Sequence, residues 1–185
     1  VDQYSYAAEL LKKYEGFNRT AVWDVNAWRI GYGSGTITDS SGNYRTVKQG
    51  DTTTEANALK DLTRRVKEFE KRVINKVGAE FWDPLHYQVK AALISLAYNY
   101  GNITKQEIIE AIKTGNNKKI AQAVINSTYN DNKSLSESVR NALRNRRKKE
   151  AAIIEAAPQT KGGFNKKLLL LPLLIFAAYY LTKKK

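Results

Sequence analysis

Residues 89–100, VKAALISLAYNY, are apolar nearly all round when wound as a helix. Such a helix must be enclosed by other chain on every side, so the segment predicts a central core helix ending at Gly101. Asp83-Pro84 reads as its start. The segment before it supplies one wall. Ala58, Leu62, Val66, Phe69, Val73 and Val77 recur on one helical face up to Gly78, and Thr52 with Glu55 fits a capping box at the beginning. Tyr6, Leu10, Leu11 and Tyr14 give residues 4–14 the same periodicity, closed near Gly16, and further helices are predicted over 104–113, 116–127 and 135–155.

Residues 20–48 change character. TAVWDVNAWRIGYGSGTIT and NYRTV are rich in β-branched and aromatic residues, with the turn-forming DSSGN between them. They predict a small antiparallel sheet, a hairpin plus a short third strand. The fold class is α+β, mostly α.

After the last helix, AAPQTKGGFN is polar and helix-breaking, and from Leu168 to Leu181 no charge occurs for 14 positions. As a helix this stretch spans about 21 Å, short of a ~30 Å hydrocarbon core, but Lys167 and Lys183 can snorkel and Tyr179 and Tyr180 suit a membrane interface. The chain therefore divides into a body over 1–156, a linker over 157–166 and a membrane-anchoring, transmembrane tail helix over 167–185. No basic-then-apolar secretory pattern opens the sequence.

The 185 residues carry a net charge of +13, and six of the 31 basic residues lie beyond residue 160, where there is no acid. Such a balance favours a polyanionic partner: nucleic acid, anionic lipid or an acidic cell wall. The basic runs RRVKEFEKR and RNRRKKE have acids interspersed and read as solvated helix faces, so no specific nucleic acid is expected. With no Cys and a single His86, which reads as a packing or solvent-facing residue, thiol chemistry is excluded and neither a metal nor another cofactor is expected.

Two acids stand out in YEGFNRTAVWDVNAWRIGYG (residues 14–33). Glu15 ends an apolar helical stripe between Tyr14 and Gly16. Asp24 follows Trp23 near the polar Asn26, in wetter surroundings. Burial disfavours the charged form of a carboxyl, and an acid that keeps its proton can protonate a leaving group. Two carboxyls in unlike environments are what glycoside hydrolysis requires. Trp23, Trp28, Tyr32 and Tyr44 are aromatic surfaces on which sugar rings stack.

The stretch Glu15-Gly16, then Trp23-Asp24, then Ile30-Gly31-Tyr32-Gly33 resembles the phage-type lysozyme family, glycoside hydrolase family 24. ALISLAYNYG (92–101) is similar to that family's central helix, and LRNRRKKEAAII (143–154) to its late Arg-Arg-x-x-Glu helix, so the resemblance covers about residues 4–155. It implies a two-lobe lysozyme-like fold with a β-hairpin lobe, a long connecting helix and a helical C-terminal lobe. It implies a peptidoglycan muramidase cleaving between N-acetylmuramic acid and N-acetylglucosamine with inversion. Glu15 would be the general acid, and Asp24 would activate water or stabilise the cationic centre. Arg146 or Arg147 would pair with Glu15. Asn99, Trp28 and Tyr32 would contact substrate.

One feature departs from the family. A Thr usually lies six residues after the Asp and helps to hold the water. Here that position is Ile30, preceded by Arg29, and Thr36 or Ser34 would have to supply the hydroxyl. The departure leaves open a lytic transglycosylase, and a non-catalytic peptidoglycan-binding domain is the further alternative. With the tail, the resemblance implies a phage enzyme in the internal membrane of a lipid-containing virion beside other virion proteins, or in the host inner membrane facing the wall.

Overall fold

The computed structural model describes residues 2–128 and 135–160. Helix α1 (Gln3–Glu15) opens with the Asp2 carboxylate accepting from the Ser5 amide at 2.8 Å. Strands β1 (Asn18–Asp24) and β2 (Ala27–Gly31) form one antiparallel hairpin; β3 (Thr36–Thr38) and β4 (Tyr44–Thr46) form a second. Six helices follow: α2 (Glu55–Val77), α3 (Ala79–Trp82), α4 (Tyr87–Tyr100), α5 (Gln106–Lys113), α6 (Asn117–Asn126) and α7 (Glu137–Ala156).

The apolar segment is the hub, as its composition requires. From Val89 to Tyr98 only Lys90 escapes burial, and α4 packs against α1, α2 and α7. Leu93, Ile94 and Leu96 are essentially inaccessible, and each contributes about 1.5–3 kcal/mol of burial free energy. The stripe on α2 is buried as its spacing predicts, and it adds an acid: Glu70, 6% exposed, accepts from Tyr4 Oη at 2.6 Å and Trp82 Nε1 at 3.0 Å. This carboxylate ties α1 and α3 to the connecting helix. A separate small core of Ala21, Ile30 and Val47, flanked by Trp28 and Ile37, holds the β lobe.

Three local expectations are corrected. The cap of α2 is Thr54, whose hydroxyl accepts from the Asn57 amide at 3.2 Å, because Thr52 is drawn into a bridge with Thr20 of β1. Glu55 instead accepts from Tyr32 Oη at 3.1 Å. Asp83 and Pro84 occupy a turn closed by Leu85 N donating to Trp82 O; α4 starts at Tyr87, with His86 as its cap. The β region is two hairpins rather than one plus a strand, because the turn between Ile30 and Ser34, which bridge each other, swings β3 away from β2.

At the far end, Asn117 Nδ2 donates to Ala157 O at 2.9 Å and Gln159 Nε2 donates to Gly115 O, so the chain stays tied to the α5–α6 corner through Gln159. Among the described residues no helix is long and apolar enough to cross a membrane; the tail 167–185 and most of the linker lie outside them.

Candidate active site

Glu15 is the last residue of α1, where the chain breaks at Gly16 and turns into β1. Its Oε1 accepts from Arg146 Nη1 at 2.7 Å, and the side chains are 20% and 10% exposed. Its Oε2 lies on the side of Gly33. A Cβ at Gly33 would stand 3.2 Å from that oxygen, and the residue has φ +69°, so position 33 is glycine for two reasons. One carboxylate oxygen is thus fixed by a guanidinium, and the other sits against bare backbone.

Arg146 is itself held. Its Nε donates to Glu150 Oε1 at 3.3 Å, its Nη2 to Ser95 O at 3.3 Å, and its guanidinium carbon lies 4.8 Å from the Tyr14 ring centroid. Glu150 is fully buried and also accepts from Ser95 Oγ at 2.7 Å and Arg147 Nη2 at 3.2 Å. Burial pushes the Glu150 carboxyl above its ordinary range, against the pull of Arg147, Ser95 and Arg146. Arg147 points inward: it is buried, forms an ion pair with Glu150 and donates to Asn99 Oδ1 at 3.2 Å. Of the two arginines offered by the sequence, Arg146 meets Glu15 and Arg147 braces the wall behind.

Asp24 ends β1, at the tip of the first hairpin. The register pairs Val22 with Arg29, Trp23 with Trp28 and Asp24 with Ala27. Strand alternation therefore puts Asp24 and Arg29 on one face and the two tryptophans on the other. The tryptophans stack edge to face at 5.5 Å, Trp28 packing on the β-lobe core. Arg29 Nε lies 3.9 Å from Asp24 Oδ2, and the Asp24 side chain is 62% exposed. The tip residue Val25 has φ +52°, the only positive value at a non-glycine residue among those described.

Glu15 and Asp24 line one open cleft of about 420 Å³, together with Arg29, Arg65, Asn99 and Tyr100. A half-buried acid at a helix end facing an exposed acid on a hairpin, with room for a saccharide between lobes, is an arrangement that can cleave a glycosidic bond. Residues 12–150 match the phage lysozyme family. The chain belongs to that family.

Two solved structures are similar to this lysozyme-family chain. The endolysin from Escherichia coli O157:H7 phage FAHEc1 is 26% identical with a TM-score of 0.64; the match covers 84% of this chain and 94% of that one. The muramidase domain of SpmX from Asticaccaulis excentricus shares the fold at 24% identity and a TM-score of 0.62, over 82% and 95% of the two chains. Comparison with curated proteins gives no match.

Other candidates from the sequence lie away from the two acids. Tyr32 is 3% exposed, so its ring offers no stacking surface. Trp28 lies on the far face of the hairpin. Ser34 and Thr36, the candidate hydroxyls, turn toward an acid the sequence reading missed. Asp61 on α2 accepts from Ser34 Oγ at 2.5 Å, Thr38 Oγ1 at 2.7 Å, Thr36 Oγ1 at 2.9 Å and Arg64 Nη2 at 2.7 Å. Burial alone would raise the Asp61 carboxyl; the hydrogen bonds from Ser34, Arg64, Thr38 and Thr36 outweigh it and hold the group below the ordinary aspartate range. This cluster fastens the second hairpin to the connecting helix.

Tyr98 was likewise missed. Its hydroxyl donates to Tyr32 O at 2.7 Å and receives Arg65 Nη1, and burial pushes it up to about 12, so it stays neutral. It sets the floor of the cleft between the lobes. The sequence signal for it was slight: one tyrosine in an apolar helix, whose hydroxyl must find a partner once buried.

Proposed function

We propose that the chain is a muramidase that hydrolyses the β-1,4 bond between N-acetylmuramic acid and N-acetylglucosamine in peptidoglycan, with the inverting chemistry of glycoside hydrolase family 24. The observation that carries this reading is the pair of unlike carboxyls in one cleft: Glu15 clamped by Arg146, Asp24 open to solvent. Glu15 donates its proton to the leaving glycosidic oxygen. Asp24 takes a proton from a water as that water bonds to the anomeric carbon, or meets the positive charge developing there. Arg146 keeps Oε1 fixed, so the proton leaves from the oxygen beside Gly33. Asn99 and Tyr100 offer polar and aromatic contacts along the floor.

A second reading is favoured by one observation. Ser34 and Thr36 face Asp61 and not Asp24, so neither supplies the water-holding hydroxyl usual in the family. A lytic transglycosylase needs no such water, because an internal hydroxyl closes a 1,6-anhydro ring.

The tail completes the proposal. Residues 167–185 anchor the enzyme in a lipid membrane, that of a phage virion or its host, so that it cuts only the wall within reach of its linker.

Digestion of purified peptidoglycan by the full chain, with products weighed, tests the reading. Reducing ends carrying one added water establish hydrolysis. Anhydro ends establish the transglycosylase, and an uncut wall refutes both.

A further inference from the structure

Arg29 precedes Ile30, the position at which the family usually has a Thr, and its guanidinium lies at the cleft wall. It lines the cleft with Glu15 and Asp24 and is 33% exposed. Its Nη1 lies over the backbone of Gly35, 2.8 Å from where a Cβ there would stand, so the guanidinium rests against bare main chain at the foot of the second hairpin. The contact with Asp24 is long and made through Nε at 3.9 Å. Among the described residues, neither Nη group of Arg29 is in a hydrogen bond. A planar fork of donors is held at the cleft wall with its terminal nitrogens unspent, which is the geometry that takes a carboxylate through two parallel bonds.

We infer that Arg29 is a specificity-determining residue that binds a carboxylate of the glycan substrate, making this cleft selective for acidic over neutral N-acetylhexosamine polymers. The inference rests on the muramidase reading for its substrate. In peptidoglycan two sources offer that group: the carboxylates of the stem peptide, and the lactyl carboxyl of the muramic sugar where the peptide has been removed. Arg65, on α2, adds positive charge to the same cleft, although its guanidinium already lies 4.3 Å from the Tyr98 ring and donates to that hydroxyl. Arg29 is therefore the cleft guanidinium whose two Nη groups are both open to a ligand.

The test uses the full chain in mild detergent, as wild type, Arg29→Gln and Arg29→Lys. Three substrates are compared: intact peptidoglycan, peptide-free glycan strands, and the same strands with their lactyl carboxyls amidated. The expected result is a rise in KM about tenfold larger for Arg29→Gln on a carboxylate-bearing substrate than on amidated strands, partly recovered in Arg29→Lys, whereas a change in kcat from the lost Asp24 contact is shared by all three substrates. A loss confined to intact peptidoglycan assigns the stem peptide; a loss retained on peptide-free strands assigns the lactyl carboxyl. Equal rises in KM on charged and amidated strands, or none on any, overturn the inference. Binding of the Glu15→Gln chain, with and without Arg29→Gln, to the same strands is measured alongside. Carboxylate-dependent binding through Arg29 without turnover by wild type would sink the muramidase reading and keep this one; binding indifferent to Arg29 and to amidation sinks this one.

Discussion

Arg146 Nη1 donates to Glu15 Oε1 at 2.7 Å, joining α7 to the end of α1 across 131 residues of sequence. This contact orients the acid proposed to react, and Ser95 and Glu150 orient the contact. Replacing Arg146 with Ala is predicted to lower kcat roughly 100-fold, the scale of a misplaced reacting group. It should also destabilise the fold by about 2 kcal/mol through lost charged hydrogen bonds. Arg146→Lys keeps the charge but loses the fork that reaches Glu15, Ser95 and Glu150 together, and should recover only part of the rate. Steady-state kinetics beside thermal unfolding checks both effects.

Gly33 gives a second handle on the same carboxyl. Gly33→Ala adds a left-handed penalty of roughly 1–2 kcal/mol. It also places a methyl 3.2 Å from Glu15 Oε2. The expected outcome is a lower melting temperature together with reduced kcat. Gly42→Ala, at a turn where a Cβ meets nothing within 4 Å, should show the first effect without the second.

What was readable from sequence follows from how far each signal reaches along the chain. The α2 stripe and the all-apolar α4 are local patterns, and both elements lie where their spacing put them. The helix cap was not a local matter: Thr52 was expected, and its bridge with Thr20 leaves the role to Thr54. Trp28 was expected at the cleft, but its face is set by the two-residue turn that pairs Asp24 with Ala27, and a shift of one residue would reverse it. Asp61 passes in sequence for a polar position on a solvated helix. Its hydroxyl partners lie 23 to 27 residues away, and only the docked hairpin brings them together. Glu15 and Asp24 were singled out by their unlike local surroundings and by segments far apart in sequence that resemble one family in the right order.

Asp61 predicts an acid response. Its folded carboxyl is held below the ordinary aspartate range, so the stabilisation it gives is complete above that range and is lost as pH falls through the lower folded value. Asp61→Asn should unfold more easily at pH 7 and lose less additional stability on acidification below about pH 4 than the wild type does. Denaturant midpoints at pH 7 and pH 3 measure the difference. Equal acid sensitivity in the two proteins would contradict the assignment.

Val25 stores strain at the tip that carries Asp24. It is β-branched, 89% exposed and left-handed at φ +52°. Val25→Asn, which tolerates that conformation, should stabilise by about 1 kcal/mol, seen as a rise of roughly 2–4 °C in melting temperature. An unchanged or lower melting temperature would show that the tip is not strained.

The account stands on Glu15 as the acid, and the most direct measurement is the rate of new reducing ends from purified peptidoglycan for the full chain and for Glu15→Gln. Loss of a general acid predicts a fall of about 100- to 10,000-fold, with wall binding and unfolding temperature retained. Reducing ends released by Glu15→Gln at the wild-type rate would contradict it.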